Sequence, residues 1–197
     1  LEKLRAREAK PVIVPAMYQA LREVGEHKGG VVGFALARPA LVDLVALPKF
    51  MAKPPSRALV TNTAQLTGFG GGMAPNVVPG EVWAQLDCRL LPGVTAETMI
   101  EELKRVVDDP TIRFEVLQSF PAYESPVDDP LFRALARWSV DGRPDAVAAP
   151  ALSPGFTDSM FFRARGVRAY GLAPFALTLD EAATMHGENE RVSVDAP

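Results

Sequence analysis

Few residues of this chain belong to reactive types. Its 197 residues hold one cysteine, two histidines and two tryptophans. A single cysteine excludes an intrachain disulfide and fits a reducing compartment, so a cytoplasmic location is expected. No apolar run reaches about 18 residues, so no segment reads as a membrane span and no membrane partner is expected. Lysine and arginine are dispersed and the net charge is −3, which leaves no basic stripe for a nucleic acid. There is no Gly-x-Ser-x-Gly elbow, so Ser-His-Asp hydrolysis is unsupported. The glycines at 70–72 lack the Lys-Ser/Thr of a phosphate loop. Internal repeats and low-complexity tracts are absent as well.

What remains is a globular composition, 48% hydrophobic and 23% charged. The stretch Gly70 to Gly93 organises it. After a glycine-rich turn and Asn76-Val77-Val78-Pro79, residues alternate in the period-2 pattern of a half-buried strand. Trp83, Gln85, Asp87 and Arg89 fall on one face, and Val82, Ala84, Leu86, Cys88 and Leu90 on the other. Cys88 on the apolar face reads as a packed thiol.

Around this stretch the pattern predicts an α+β chain. Val12, Val14, Met17, Leu21 and Val24 mark a helix stopping at Gly25. Residues 32–53 read as an apolar helical insertion that covers the core, an amphipathic membrane patch being the sharper alternative. Residues 57–69 read as a strand pairing with 81–90, followed by a Thr95-capped helix and a third strand at 112–116. Strand, strand, helix, strand is most of a ferredoxin-like sandwich. A Pro- and Asp-rich linker at 118–129 sets a boundary between domains at 1–118 and 119–197. Beyond it, Asp129-Pro130 starts a helix, a second helix runs from Thr157 or Asp158 to Arg165 with Gly166 as its stop, and Val167–Ala173 reads as a short strand.

Candidate chemistry is sparse. His186, between Met185 and Gly187 with Glu188 and Glu190 behind it, is a metal-ligand candidate or a hydrogen-bonded structural histidine. His27 reads as a solvated loop histidine. Gly155-Phe156-Thr157-Asp158-Ser159 offers backbone N–H groups to an anion, or is only a helix cap. Glu101-Glu102 reads as solvated helix surface, and Arg89 with Asp87 as a surface ion pair.

Taken together the motifs resemble the zinc aminoacylase/carboxypeptidase family, which includes carboxypeptidase S-like enzymes, acetylornithine deacetylase and succinyl-diaminopimelate desuccinylase. Asn76-Val77-Val78-Pro79 with Arg89 and Leu91-Pro92-Gly93 is similar to its lid (dimerisation) motif. Gly155 to Ser159 with Phe161-Phe162 resembles its C-terminal substrate loop, and His186 to Val192 its terminal metal-binding segment. The 32–53 insertion looks most like the carboxypeptidase S-like branch. The resemblance implies a lid at 1–118 and the C-terminal part of an α/β catalytic domain at 119–197. It implies two zinc ions with His186 as one ligand, and a substrate held by Asn76, Arg89, Gly155, Thr157, Asp158 and Ser159. The substrate would be an N-acyl amino acid or small peptide, and the lid would form a homodimer.

The sequence also departs from that pattern. It has no His-x-Asp motif, and Met160 stands where the family often has arginine. It opens on Leu1 without Met and stops at Pro197, so it is expected to be an excerpt whose other ligands lie upstream. No catalytic residue is assigned within it, and the chain alone is expected to be inactive. The rival expectations are a non-catalytic dimerisation or interaction module and a small metal-free ligand-binding domain.

Overall fold

The computed structural model describes residues 2–72, 74–153, 155–173 and 177–193. Charged residues open the chain as α1 (Glu2–Arg5), and Lys3 donates to the Val107 carbonyl at 2.6 Å. After an extended run comes α2 (Pro15–Lys28), with Pro15 in the first turn where its missing N–H costs nothing. The helix does not stop at Gly25. Gly25 is buried inside it, and the chain turns at Gly29, whose φ is +62°.

The reason is a helix crossing. A Cβ on Gly33 of α3 (Gly30–Leu36) would sit 2.4 Å from the Gly25 carbonyl oxygen, and one on Gly25 would lie 2.8 Å from Leu36 Cβ. Two glycines let these backbones touch.

The insertion continues as α4 (Pro39–Val45), α5 (Leu47–Ala52) and α6 (Pro54–Arg57). A proline at the start of each breaks the run into short pieces. Its inner side is part of the core: Val42 and Ala46 are buried with Ile13, Val14, Met17, Val60 and Leu91. The expectation that these helices cover the core holds for that side.

The sheet is an antiparallel pair, β1 (Thr63–Gly71) and β2 (Val82–Arg89). The first strand starts later than 57 because α6 and a turn occupy 54–60. The glycines at 70 and 71 belong to the strand instead of the turn, for a steric reason. Gly70 faces Trp83 across the pair, and a Cβ there would meet the indole at 2.7 Å.

Thr95 caps α7 (Ala96–Val107), accepting from Thr98 N at 3.3 Å, and left-handed Asp108 ends it. Met99 and Leu103 form its buried stripe. Glu102 is not free surface. Arg7, 8% exposed, donates to it at 2.6 Å and to the Asn62 carbonyl at 3.1 Å, tying the start of the chain to α7 and β1.

The ferredoxin-like expectation is met only in part. Among the described residues the sheet has two strands, and the strand expected at 112–116 pairs with nothing. Ile112 and Val116 are exposed, and Arg113 reaches Glu81 at 3.2 Å beside the start of β2. The alternation is there, but a strand needs a ladder partner as well.

The C-terminal part holds α8 (Pro130–Val140), α9 (Ser159–Arg163) and α10 (Leu179–Ala182). Asp129 caps α8 by accepting from Leu131 N at 2.8 Å. The α9 helix ends before Arg165, though Gly166 does take the positive φ of a stop, +77°. Residues 167–173 have no ladder partner among the described residues, so the strand expected there is not formed. Side-chain bonds hold them instead.

Candidate functional site

Arg89 closes β2. Its guanidinium is held in bidentate fashion by Asp87, with Nε to Oδ1 at 2.7 Å and Nη2 to Oδ2 at 3.0 Å. Both side chains are more than one-third exposed, so the pair contributes about 0–1 kcal/mol to stability. A carboxylate approaching Arg89 competes with Asp87 for the same fork. Cys88, between them in sequence, points to the opposite face. Burial first, then the Asp87 charge, pushes its thiol pKa up, which suits an inert thiol.

Asn76 lies in the loop that joins β1 to β2 and is exposed. The strand from Val82 to Arg89 spans about 24 Å at some 3.4 Å per residue. Asn76 and Arg89 therefore belong to opposite ends of the hairpin.

Gly155, Phe156, Thr157 and Asp158 are exposed and lead into α9. Asp158 occupies the cap position but makes no side-chain cap bond; the carbonyls of Thr157 and Asp158 accept from Met160 and Phe161. Gly155 N donates to Ser153 Oγ at 3.1 Å. Pro154 lies outside the described residues. Phe156 packs with Phe120 and Phe161 in an aromatic trio, centroids 4.8, 6.0 and 6.1 Å apart.

Arg163 at the end of α9 anchors this loop. It donates to the Ala169 carbonyl at 2.7 and 3.0 Å and to Ser125 Oγ at 3.2 Å. Ser125 also exchanges bonds with Ala169, and Tyr170 donates to the Pro126 carbonyl at 2.6 Å. The contacts of Ser125 with Arg163 and Ala169, and of Tyr170 with Pro126, span 38 to 44 positions in sequence, so no local pattern announces them.

A broad trough of about 3020 Å³ runs along β2, residues 111–128 and the aromatic trio. It is far larger than the roughly 300–1,000 Å³ of a small-molecule cavity, so it is an open surface and not a closed pocket. Arg89, Gly155 and Thr157 line it together. Asn76, Asp158, Ser159 and His186 do not line it.

His186 is exposed, in a turn with a φ of +61°. A capping box precedes the turn. Thr178 N and Oγ1 each donate to Glu181 Oε2 at 2.8 Å, and Glu181 N returns a bond to Thr178 Oγ1 at 3.2 Å. The Thr-x-x-Glu spacing is a sequence signal that was open to reading. Among the described residues no three His, Cys, Asp or Glu side chains stand together as a metal site. Zinc asks for three or four such donors, so the described residues do not fit a metal on their own.

Residues 13–115 match the family model described as the peptidase dimerisation domain (M20), and the chain belongs to that zinc aminoacylase/carboxypeptidase family. It is 34% identical over 170 residues to the human N-fatty-acyl-amino acid synthase/hydrolase PM20D1, covering 84% of this chain and 34% of that protein. It is 27% identical over 144 residues to the probable carboxypeptidase S-like 2 of Dictyostelium discoideum, covering 72% and 28%. Mouse aminoacylase-1 is 29% identical over 152 residues, covering 75% and 36%. The chain thus spans about a third of the length of these relatives. No solved structure matches the chain significantly.

Proposed function

We propose that this chain is the lid and C-terminal part of a metal-dependent amide hydrolase acting on N-acyl amino acids or small peptides. One observation carries the reading: Arg89 of the lid strand and Gly155 and Thr157 of the C-terminal loop, far apart in sequence, line one trough. A guanidinium and a loop rich in N–H groups suit a substrate carboxylate. The relatives' names supply the substrate class by analogy: N-fatty-acyl amino acid, carboxypeptidase, aminoacylase.

In this reading Asn76, Asp158 and Ser159 serve the same substrate, and His186 is one ligand of a metal site completed by residues outside this chain. The ferredoxin-like lid belongs to the proposal too, with residues 112–116 joining the sheet when the partner surfaces are in place. The described residues hold no cluster of metal donors, and the chain alone is expected to be inactive.

The test is hydrolysis of short- and long-chain N-acyl amino acids by the protein expressed from its complete gene, beside the 197-residue chain. The expected result is cleavage by the complete protein only. A complete protein that dimerises but cleaves no amide would mark a non-catalytic module, and cleavage by the isolated chain would overturn the incomplete-site reading.

A further inference from the structure

The insertion helices have two sides with different surroundings. Gly33, Val42 and Ala46 face the core, but Val31 is 86% exposed, Leu44 72% and Phe34 56%. On α3, Val31 and Phe34 are exposed while Gly33 is buried against α2, and Arg38 follows the helix as the extended residue before α4. Arg38 lies 3.4 Å from the Phe34 ring centroid and donates to the Phe34 carbonyl at 2.9 Å. The guanidinium thus stacks on the exposed Phe34 ring and places a positive charge beside that apolar side chain.

No single helix is long and apolar enough to cross a membrane. The pair Gly30–Leu36 and Pro39–Ala52 together has the hydropathy of a span but is bent by 109°. A bent apolar pair of this kind lies in an interface more readily than across a bilayer.

Charge points the same way. From His27 to Arg57 the basic residues are Lys28, Arg38, Lys49, Lys53 and Arg57, and the one acid is Asp43. The five cations are exposed, and Asp43 already accepts the Tyr18 hydroxyl at 2.5 Å. The segment is basic in a chain of net charge −3. A two-fold contact through this face would set two basic rims against each other, which disfavours a second copy as the occupant. An anionic lipid surface complements both the charge and the apolar outcrop.

We propose that this helical insertion docks on anionic membrane surfaces, with Val31, Phe34 and Leu44 entering the acyl boundary and Arg38, Lys49 and Lys53 meeting headgroup phosphates. This departs from the sequence expectation of no membrane partner, which set the amphipathic patch aside because residues 32–53 carry few cations; the exposure of Val31, Phe34 and Leu44 is what the structure adds. Binding is tested without substrate, so its outcome is separate from the hydrolase reading.

The experiment is flotation of the complete protein with phosphatidylcholine vesicles, pure or with roughly one-quarter phosphatidylserine. The expected result is binding to the anionic vesicles at least about tenfold tighter than to the neutral ones, weakening at high salt. The pair Val31→Asp with Leu44→Asp lowers that binding about tenfold or more, and Lys49→Glu with Lys53→Glu removes the preference for anionic lipid. Both pairs lie on the surface, so circular dichroism and hydrolysis of a water-soluble substrate stay at wild-type values. Absence of binding to either vesicle, or binding that neither pair alters, would overturn the proposal. So would a Val31→Asp, Leu44→Asp protein that turns from dimer to monomer while the wild type ignores lipid, which assigns the face to a second copy.

Discussion

At residue scale, Arg89 is the residue proposed to hold the substrate carboxylate, and it contributes little to the fold. Its exposed pair with Asp87 adds little stability, so replacing it tests function almost alone. In the complete protein, Arg89→Ala is expected to lower kcat/KM for carboxylate-bearing substrates roughly ten- to hundredfold, the 1.5–3 kcal/mol of hydrogen bonds to a charged group. The urea midpoint should not move, and an unchanged kcat/KM would return Arg89 to a surface ion pair. Arg7 is the opposite case. It is buried against Glu102, and Arg7→Ala leaves that carboxylate and the Asn62 carbonyl without their donor. The expected loss is about 1–3 kcal/mol in chemical denaturation. Gly33→Ala drives a methyl group against the Gly25 carbonyl oxygen, and should cost about 1–3 kcal/mol by the same measurement. None of these three partners was readable locally. Glu102 looked like solvated surface and Gly25 like a helix stop, because the groups that contradict those readings lie elsewhere in the chain.

At the scale of elements, the features set by near neighbours in sequence were legible. Thr95 and Asp129 cap the helices they precede, and Gly166 stops the turn after α9. The alternation of 82–89 is a strand, and its partner is the segment 63–71, which takes in the glycines at 70 and 71. Features that need a distant surface were not legible. Residues 112–116 alternate as a strand does, yet lie without a ladder, and 167–170 are held by Ser125 and Arg163 instead of by a sheet. The candidate site divides in the same way. Its motifs are local and visible, but only the folded chain sets Arg89 and the 155–157 loop along one trough while leaving His186 outside it.

The Thr178–Glu181 capping box yields a pH prediction. Hydrogen bonds from Thr178, the backbone N–H first and the hydroxyl second, hold the Glu181 carboxyl below its ordinary pKa. A depressed folded value means the stabilisation is complete above the ordinary carboxylate range and fades as pH falls through the folded value. Protection of the Thr178 amide in hydrogen exchange should fade in that acid window, and the turn bearing His186 should loosen with it. In Glu181→Gln the pH dependence should vanish. Protection that persists in wild type below both values would show that the box does not hold the turn.

At the scale of the whole molecule, much of the hydrophobic surface remains uncovered. Val82, Trp83, Leu117 and Phe162, along the trough and α9, are more than half exposed. The trough of about 3020 Å³ along β2 exceeds what a small ligand fills. In the proposed function, Arg89 would supply the guanidinium and His186 a single imidazole to an active centre completed by other residues.

The most direct test of that claim is zinc content measured together with amide hydrolysis, in the complete protein and in its His186→Ala variant. The account predicts bound zinc and chelator-sensitive hydrolysis in the wild type. It predicts at least one zinc fewer and hydrolysis reduced by about a hundredfold or more in the variant, at unchanged secondary structure. Full zinc content and full activity in His186→Ala would contradict it.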